Sequence, residues 1–142
     1  MVWTALDYHA ETSDVQTAFL YGDLKEEIYL TKPEGWDIFL KKNDFHAGPP
    51  FLKLNKSIYG LVQAARTCWQ KLMKTLKERG FETFQNDNCM VKKTTHQGII
   101  LMIIYVDDCL MIGNREAIKT ELEELKKLFA MKHEEGVQDF IR

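Results

Sequence analysis

The sequence predicts an α+β domain in which helices cover an antiparallel sheet. Gly98 to Gly113 holds two β-rich apolar runs separated by a pair of aspartates, a pattern typical of a hairpin. Ser57 to Arg79 carries apolar residues at spacings of three and four, a pattern typical of a helix. Short alternating segments elsewhere indicate further strands, and this mixture of helices and antiparallel strands defines the α+β class.

Length and composition favour one globular domain over residues 1–142. The chain has 142 residues, 45% of them hydrophobic, and a net charge of −2, so any nucleic-acid partner must be held by a local patch. Three cysteines without a CxxC pair and four dispersed histidines predict neither a disulfide framework nor a zinc site. The N-terminus does not read as a signal peptide, and the longest apolar run, Ile99 to Val106, is too short to span a bilayer. We expect a cytoplasmic or nuclear protein that is not secreted and has no membrane partner.

The first third of the chain predicts short elements around one loop. Val15 to Leu24 is compatible with a short helix, and Glu27 to Thr31 alternates like a half-buried strand. Lys41 to Pro50 is rich in turn residues and predicts a surface loop. Phe51 to Leu54 predicts another strand after it.

The strongest helix prediction covers Ser57 to Arg79, with Ser57 as the N-cap and Gly80 as the C-terminal stop. Its apolar stripe consists of Ile58, Leu61, Val62, Ala65, Trp69, Leu72, Met73 and Leu76. Its polar face consists of Tyr59, Gln63, Arg66, Gln70, Lys74 and Lys77. From Lys53 to Arg79 there are seven Lys or Arg and one Glu, the strongest local charge bias in the chain. A solvated face is the simpler explanation, and for an isolated basic helix it is the favoured interpretation.

The remaining elements follow in order. Phe81 to Phe84 and Cys89 to Lys93 predict strands before the hairpin, whose turn we place at Asp107-Asp108. Apolar residues between Ile118 and Phe129 are spaced for an amphipathic helix, and Met131 to His133 predicts a final strand.

The paired aspartates of the hairpin are the first candidates for a chemical role. Aspartates at a turn usually serve turn chemistry alone. Two adjacent carboxylates at the tip of an apolar hairpin nevertheless repel, which raises a pKa or requires a cation, and Mg²⁺ is the usual oxygen-seeking choice. Asp14, a polar residue at the start of an apolar segment, is the candidate third carboxylate. The residues alone leave open whether Asp14 joins Asp107 and Asp108 or caps a short helix.

Four sequence blocks carry a resemblance to a known family. They are DVQTAFLYGDL at Asp14 to Leu24, IYLTKPEGW at Ile28 to Trp36, KLNKSIYGLVQAAR at Lys53 to Arg66 and YVDD at Tyr105 to Asp108, followed by LFAMK at Leu128 to Lys132. In this order and spacing the blocks resemble the copia-type reverse transcriptases of long-terminal-repeat retrotransposons. The resemblance covers nearly the whole chain.

The resemblance implies a reverse-transcriptase palm, an antiparallel sheet packed by helices, with part of the fingers. The implied activity is RNA-directed DNA polymerisation by two-Mg²⁺ nucleotidyl transfer. Asp14 and Asp107 are then the principal ligands of the two ions, with Asp108 as their acidic neighbour. Two ions in such a site activate the attacking 3′-hydroxyl and neutralise charge on the leaving pyrophosphate.

The same resemblance implies the binding residues and partners. Val15 offers a backbone carbonyl to a metal ion, and Phe19 lies under the sugar as a gate against a 2′-hydroxyl, a role compatible with core packing. Gln63 and Arg66 fall in the block that lies near the incoming nucleotide and template, and we assign nucleic-acid binding to Lys74 and Lys77 on the same predicted face. The implied partners are an RNA or DNA template with primer, deoxynucleoside triphosphates and the remainder of a Pol polyprotein.

Several features depart from the family pattern. Val62 stands where the family usually has Lys, Ala65 where it has Pro, and Ser13 where it has a more apolar residue. The resemblance also lacks the earlier fingers strands and the thumb, connection and RNase H regions. We therefore expect a truncated polymerase domain that is weak or inactive alone. The alternative is a non-catalytic remnant or domesticated palm that acts as a nucleic-acid-binding or assembly module.

Overall fold

The computed structural model describes residues 8–43, 48 and 50–135. The strands are β1 (His9–Val15), β2 (Tyr29–Thr31), β3 (Phe51–Lys53), β4 (Glu82–Thr83), β5 (Met90–Thr95), β6 (Gly98–Tyr105), β7 (Asp108–Gly113) and β8 (Met131–Glu135). The α-helices are α1 (Trp36–Lys42), α2 (Ala64–Glu78) and α3 (Arg115–Lys126), and a short 3₁₀ helix, η1, spans Ala18–Tyr21. The α+β prediction is therefore confirmed. Within the described ranges, no helix is both long enough and apolar enough to cross a bilayer.

The main sheet has six strands in the order β4-β5-β6-β7-β1-β8, and each neighbouring pair is antiparallel. The predicted hairpin is β6-β7, in which Tyr105 faces Asp108 across a two-residue turn. The prediction of the turn at Asp107-Asp108 is wrong by one residue, because the turn is Val106-Asp107 and Asp108 is the first residue of β7. The first strand of the chain, β1, inserts between β7 and the last described strand, β8. A separate two-stranded sheet pairs β2 with β3.

One face of the main sheet forms the hydrophobic core with α2 and α3. Alternate residues of β6 and β7, such as Met102, Ile104 and Met111, are fully buried in a cluster with Leu76 and Ile118. Alternation along each strand directs the intervening side chains to the opposite face. Ile99 and Tyr105 on that face are exposed, so we call it the open face of the sheet.

Helix α2 is shorter than the sequence predicts. It begins at Ala64 because Gly60, with φ 94°, lies in the left-handed region and interrupts the helical path. The prediction of Ser57 as N-cap is wrong, since Gln63 holds that position and Ser57 is fully buried. Val62 is fully exposed and does not belong to the apolar stripe.

The C-terminal stop of α2 is confirmed. Gly80 adopts φ 87°, its N–H donates to the Lys77 carbonyl, and the N–H of Phe81 donates to the Leu76 carbonyl. These two bonds form a Schellman motif, which a residue with a free left-handed conformation completes.

Two further predictions in the first half need correction. The helix expected over residues 15–24 is a strand that ends at Val15, followed by the single 3₁₀ turn η1. The start of the loop predicted over residues 41–50 is occupied by α1, and residues 44–47 and 49 lie outside the described part of the chain. All three cysteines are free thiols.

A buried ion cluster ties α2, β5 and α3 together. Glu121 is 4% exposed and accepts hydrogen bonds from Arg79 Nε and Lys93 Nζ, each at 2.5 Å. The Lys93 ammonium also lies 5.4 Å from the ring centroid of Phe81. Because a carboxylate is buried only when its charge is compensated, this cluster fixes the helices at that end of the sheet.

Candidate active site

The pairing of β1 with β7 brings Asp14 next to Asp108. The two residues are direct register partners, although 93 positions separate them in the chain. The Val15 N–H donates to the Asp107 carbonyl at 2.9 Å, which places the Asp14–Asp108 pair at the adjacent, non-hydrogen-bonded position of the ladder. Side chains that face each other there have Cβ atoms about 4.5–5.5 Å apart. The two carboxylates therefore lie side by side on the open face.

Asp107 lies in the turn that joins β6 to β7. The preceding residue, Val106, has φ 59°, which is rare for a β-branched side chain. Such a conformation persists where the surrounding structure over-determines it, and it often occurs at functional sites. The structure thus brings Asp14, Asp107 and Asp108 together at one end of three adjacent strands. The alternative that Asp14 caps a short helix is wrong, because Asp14 lies within β1 and the N-cap residue of η1 is Thr17.

The cluster is electrostatically unfavourable without a cation. Partial burial, followed by the charges of Asp107 and Asp108, raises the pKa of Asp14 above its usual value. Burial and the Asp107 charge likewise raise the pKa of Asp108. Lys132, the register partner of Asp14 on β8, opposes the shift at Asp14. The carboxylates thus stand in a field that favours protonation or the approach of a positive ion.

Two cysteines lie close to the acidic turn from the core side. Burial and the neighbouring carboxylates raise the pKa of Cys109 to about 12. Burial and the Asp107 charge also raise the pKa of Cys68 on α2. Both thiols therefore stay protonated and act as core residues. Asp107 thus lies within electrostatic range of Cys68 in α2.

Val15 and Phe19 follow Asp14 on β1 and η1. The side chain of Val15 is buried in the core while its N–H bonds to the acidic turn. Phe19 is half-buried, packs against the core and contacts Tyr59, with ring centroids 5.7 Å apart and planes inclined by 59°. The core contacts expected for Phe19 are therefore present.

The polar face of α2 is exposed as predicted, but it is not part of the carboxylate cluster. Gln63 is half-buried at the N-cap position, and Arg66 is exposed in the first turn. Lys74 and Lys77 are exposed farther along the helix, around a shallow cavity of about 330 Å³ beside Trp69. The charges that shift the pKa of Asp14 come from the two other aspartates and Lys132, not from this face.

Lys132 is the residue near the cluster that sequence reasoning missed. It lies in the LFAMK match, but its position opposite Asp14 follows from the pairing of β8 with β1. Nothing in the local sequence specifies that pairing. The LFAMK block was the available signal.

The carboxylates form an incomplete donor set for a metal ion. Within residues 8–43, 48 and 50–135, no three His, Cys, Asp or Glu side chains already stand in a metal-coordinating arrangement. Mg²⁺ is usually bound by one or two carboxylates together with substrate phosphates, so a complete protein cage is not required. Adjacent carboxylates with raised pKa values fit this requirement. His9 and His133 instead flank buried Glu11, each with Nε2 3.3 Å from a Glu11 oxygen.

The fold and this site define an α+β domain whose antiparallel sheet carries a cluster of aspartates at the tip of one hairpin. A family model described as "Reverse transcriptase (RNA-dependent DNA polymerase)" matches residues 5–142, and the chain therefore belongs to the reverse transcriptase family. The Pol polyproteins that it resembles come from copia-type transposons, which confirms the resemblance read from the four blocks.

Three relatives illustrate the match. The chain is 38% identical over 130 residues to the retrovirus-related Pol polyprotein from transposon TNT 1-94 of Nicotiana tabacum, which covers 90% of this chain and 9% of that protein. It is 35% identical over 130 residues to the retrovirus-related Pol polyprotein from transposon RE2 of Arabidopsis thaliana, a match that covers 90% of this chain and 8% of that protein. It is 30% identical over 133 residues to the transposon Ty1-BL Gag-Pol polyprotein of Saccharomyces cerevisiae, a match that covers 90% of this chain and 7% of that protein. The chain thus spans less than a tenth of these relatives, and no solved structure matches it.

Proposed function

We propose that residues 1–142 form the palm, with part of the fingers, of an RNA-directed DNA polymerase that acts within a Pol polyprotein. The observation that carries the proposal is the pairing of Asp14 with Asp108 on the open face, with Asp107 in the adjoining turn at the tip of the β6-β7 hairpin. Carboxylates whose pKa is raised by burial and by a neighbouring carboxylate, as at Asp14 and Asp108, are costly to a fold and are typical of functional sites.

The acidic cluster supplies the oxygens for metal binding. Asp14 and Asp107 hold two Mg²⁺ ions, Asp108 adds negative charge beside them, and the Val15 carbonyl is a further oxygen ligand. When bound, the ions lower the pKa of the primer 3′-hydroxyl and neutralise charge on the triphosphate. The β1-β7 ladder keeps the carboxylates in register, so little reorganisation is needed when substrate arrives.

The residues that follow the cluster select and orient the nucleotide. Phe19 is held by the core and lies under the sugar, where its ring leaves no room for a 2′-hydroxyl. Gln63 and Arg66 sit at the start of α2 and contact the triphosphate or the template. Positioning of this kind supplies much of the rate of phosphoryl transfer.

The exposed face of α2 holds the nucleic-acid backbone. Lys74 and Lys77 project from α2 as exposed cations within the basic stretch from Lys53 to Arg79. Contacts between lysines and phosphates are independent of sequence and weaken steeply with salt. We therefore assign to this face the binding of the phosphate backbone of a primer–template or of another nucleic acid.

One observation favours the second function, a non-catalytic binding or assembly module. Val62 is fully exposed at the entrance to α2, where the family usually carries Lys, and Ala65 in the first turn is also exposed. A lost cation weakens the contact with phosphates, whereas an exposed apolar side chain suits a protein contact. A binding module keeps affinity for nucleic acid without metal-dependent binding of nucleotides.

The test is calorimetric titration of dATP into the chain in Mg²⁺ and again in EDTA. We expect saturable binding that requires Mg²⁺ and is at least tenfold weaker in Asp107→Asn. Asp37→Asn, which removes an acidic side chain in the first turn of α1, is the matched control and keeps wild-type affinity. Binding that is equal in EDTA, or equal in Asp107→Asn, would reject the metal-dependent nucleotide site and leave the binding module.

A further inference from the structure

Tyr21, the last residue of η1, holds the segment that leads into β8. Its ring lies edge-on to buried Phe129, with the ring centroids 5.0 Å apart and the planes inclined by 70°. Its hydroxyl oxygen accepts a hydrogen bond of 2.7 Å from the N–H of Ala130. The carbonyl of Ala130 accepts a second hydrogen bond, of 2.8 Å, from the N–H of Gln16. Both polar backbone groups of Ala130 are therefore bound by the segment between β1 and the end of η1.

The position of β8 depends on such an anchor. Among the described strands, β8 is an edge strand and pairs with β1 alone. Four of its five residues are polar or charged, and a strand without apolar alternation has a weakly specified register. A slip of one residue would turn every side chain to the other face. The anchor at Ala130 fixes the start of β8, while His133 at its middle approaches buried Glu11 with Nε2 3.3 Å from a carboxylate oxygen.

The register of β8 decides which charge stands opposite Asp14. Directly after Ala130, Met131 pairs with Val15 and Lys132 pairs with Asp14. Burial and the two other aspartates raise the pKa of Asp14, and Lys132 opposes that shift. The ammonium of Lys132 thus offsets part of the negative field of the acidic cluster. In the proposed function, a nucleotide triphosphate, itself a polyanion, must enter this field.

We propose that Tyr21 is a positioning residue for the active site, whose hydroxyl sets the register of β8 and so holds the Lys132 ammonium opposite the carboxylates, where it favours the approach of a nucleotide triphosphate. The inference rests on the proposed function. Tyr21 acts through the strand and not through a contact with the nucleotide. Loss of its hydroxyl therefore matters only while Lys132 is present.

The test is a double-mutant cycle in which dATP is titrated in Mg²⁺ into the wild type, Tyr21→Phe, Lys132→Gln and the double variant. Tyr21→Phe keeps the ring, removes the hydrogen-bond acceptor and should weaken dATP binding about threefold. Lys132→Gln should weaken it about fivefold. The double variant should bind no more weakly than Lys132→Gln, because Tyr21 then has no cation to position. Tyr29→Phe is the matched control, since it removes an exposed hydroxyl that donates to Glu27, and it keeps wild-type affinity.

Amide hydrogen exchange reports the anchor itself. In Tyr21→Phe the Ala130 amide should exchange about tenfold faster than in the wild type, because its acceptor is gone. The amides of β6, at the centre of the sheet, should keep their wild-type rates and so show that the fold is intact.

Three results would overturn the inference. They are unchanged dATP binding in Tyr21→Phe, unchanged exchange of the Ala130 amide, and a loss on Tyr21→Phe that is equally large in the Lys132→Gln background, which indicates another route. Asp107→Asn separates this inference from the proposed function. If Asp107→Asn weakens dATP binding while Tyr21→Phe does not, the positioning role alone is wrong. If Asp107→Asn leaves dATP binding unchanged, the proposed function fails and the positioning role fails with it.

Discussion

Asp108→Asn should stabilise the fold in the absence of divalent metal. Asp14 and Asp108 face each other in the non-hydrogen-bonded position of the β1-β7 ladder. With the charges about 6 Å apart, Coulomb's law gives about 0.7 kcal/mol of repulsion at the dielectric constant of water and about 3 kcal/mol at an effective value of 20. Both side chains are partly solvated, so we expect a gain of about 1 kcal/mol, equivalent to a rise of about 3 °C in the unfolding midpoint.

The sign of the pH dependence follows from the raised pKa of Asp108. A carboxyl whose pKa is higher in the folded than in the unfolded chain binds a proton more readily when folded. The contribution of Asp108 to wild-type stability therefore rises as the pH falls. The advantage of Asp108→Asn should therefore be largest at neutral pH. It should shrink as the pH falls through the raised folded pKa and vanish below 3.8, the ordinary value.

The assay is thermal unfolding followed by circular dichroism in EDTA, from neutral pH to below pH 4. Glu26→Gln removes one negative charge from an exposed position outside the cluster and should stay within about 0.5 kcal/mol of wild type. Addition of Mg²⁺ should raise the midpoint of the wild type more than that of Asp108→Asn. A variant no more stable than wild type at pH 7 in EDTA would refute the argument that these carboxylates repel each other.

Three further outcomes are expected. Glu121→Ala leaves Arg79 and Lys93 without their buried partner and should lower the free energy of unfolding, measured in urea, by about 3 kcal/mol. Glu123→Ala, at an exposed position, should change it little. A loss below about 1 kcal/mol in Glu121→Ala would show that the ion cluster contributes no more than a surface pair. Val106→Asn relieves a β-branched residue at positive φ and should raise the thermal midpoint by an amount equivalent to about 1 kcal/mol; a lower midpoint would indicate that the turn is not strained. Substitution of Arg66, Lys74 and Lys77 by Glu should weaken primer–template binding and reduce the slope of log affinity against log salt by about two to three. An unchanged slope would mean that this face of α2 is merely solvated.

Elements with strong periodicity could be predicted from the sequence because their pattern is local. The β6-β7 hairpin and α3 follow this rule, and the apolar residues of the predicted amphipathic helix, Ile118, Leu122, Leu125 and Phe129, are buried. The stop of α2 at Gly80 also followed from a local signal. In these segments the hydrophobic period and the cap residues specify the same structure.

β1 could not be predicted because its environment is set by strands from distant parts of the chain. Its core-facing positions include the polar residues Glu11 and Ser13, so the alternation that normally marks a strand is hidden. The prediction of where α2 begins was wrong for another reason. Ile58 and Leu61 continue the helical spacing, but Gly60 turns the backbone away before the helix begins.

The candidate site divides in the same way. Residue chemistry alone left two interpretations of Asp14, and the family resemblance favoured the one in which it joins Asp107 and Asp108. The structure supplies the pairing that brings them together. Lys132 emerged from the structure because its position opposite Asp14 depends on the pairing of β8 with β1.

The most direct test of the central claim is addition of one labelled nucleotide to a primer. Oligo(dT) annealed to poly(rA) is mixed with dTTP, Mg²⁺ and an excess of the chain, so that each primer meets a bound protein. We expect slow addition of a single nucleotide that requires Mg²⁺ and disappears in Asp107→Asn, because in the proposed function the acidic cluster holds the ions that activate the 3′-hydroxyl. Addition at the same rate by Asp107→Asn, or by the wild type in EDTA, would contradict the proposed role of the acidic cluster.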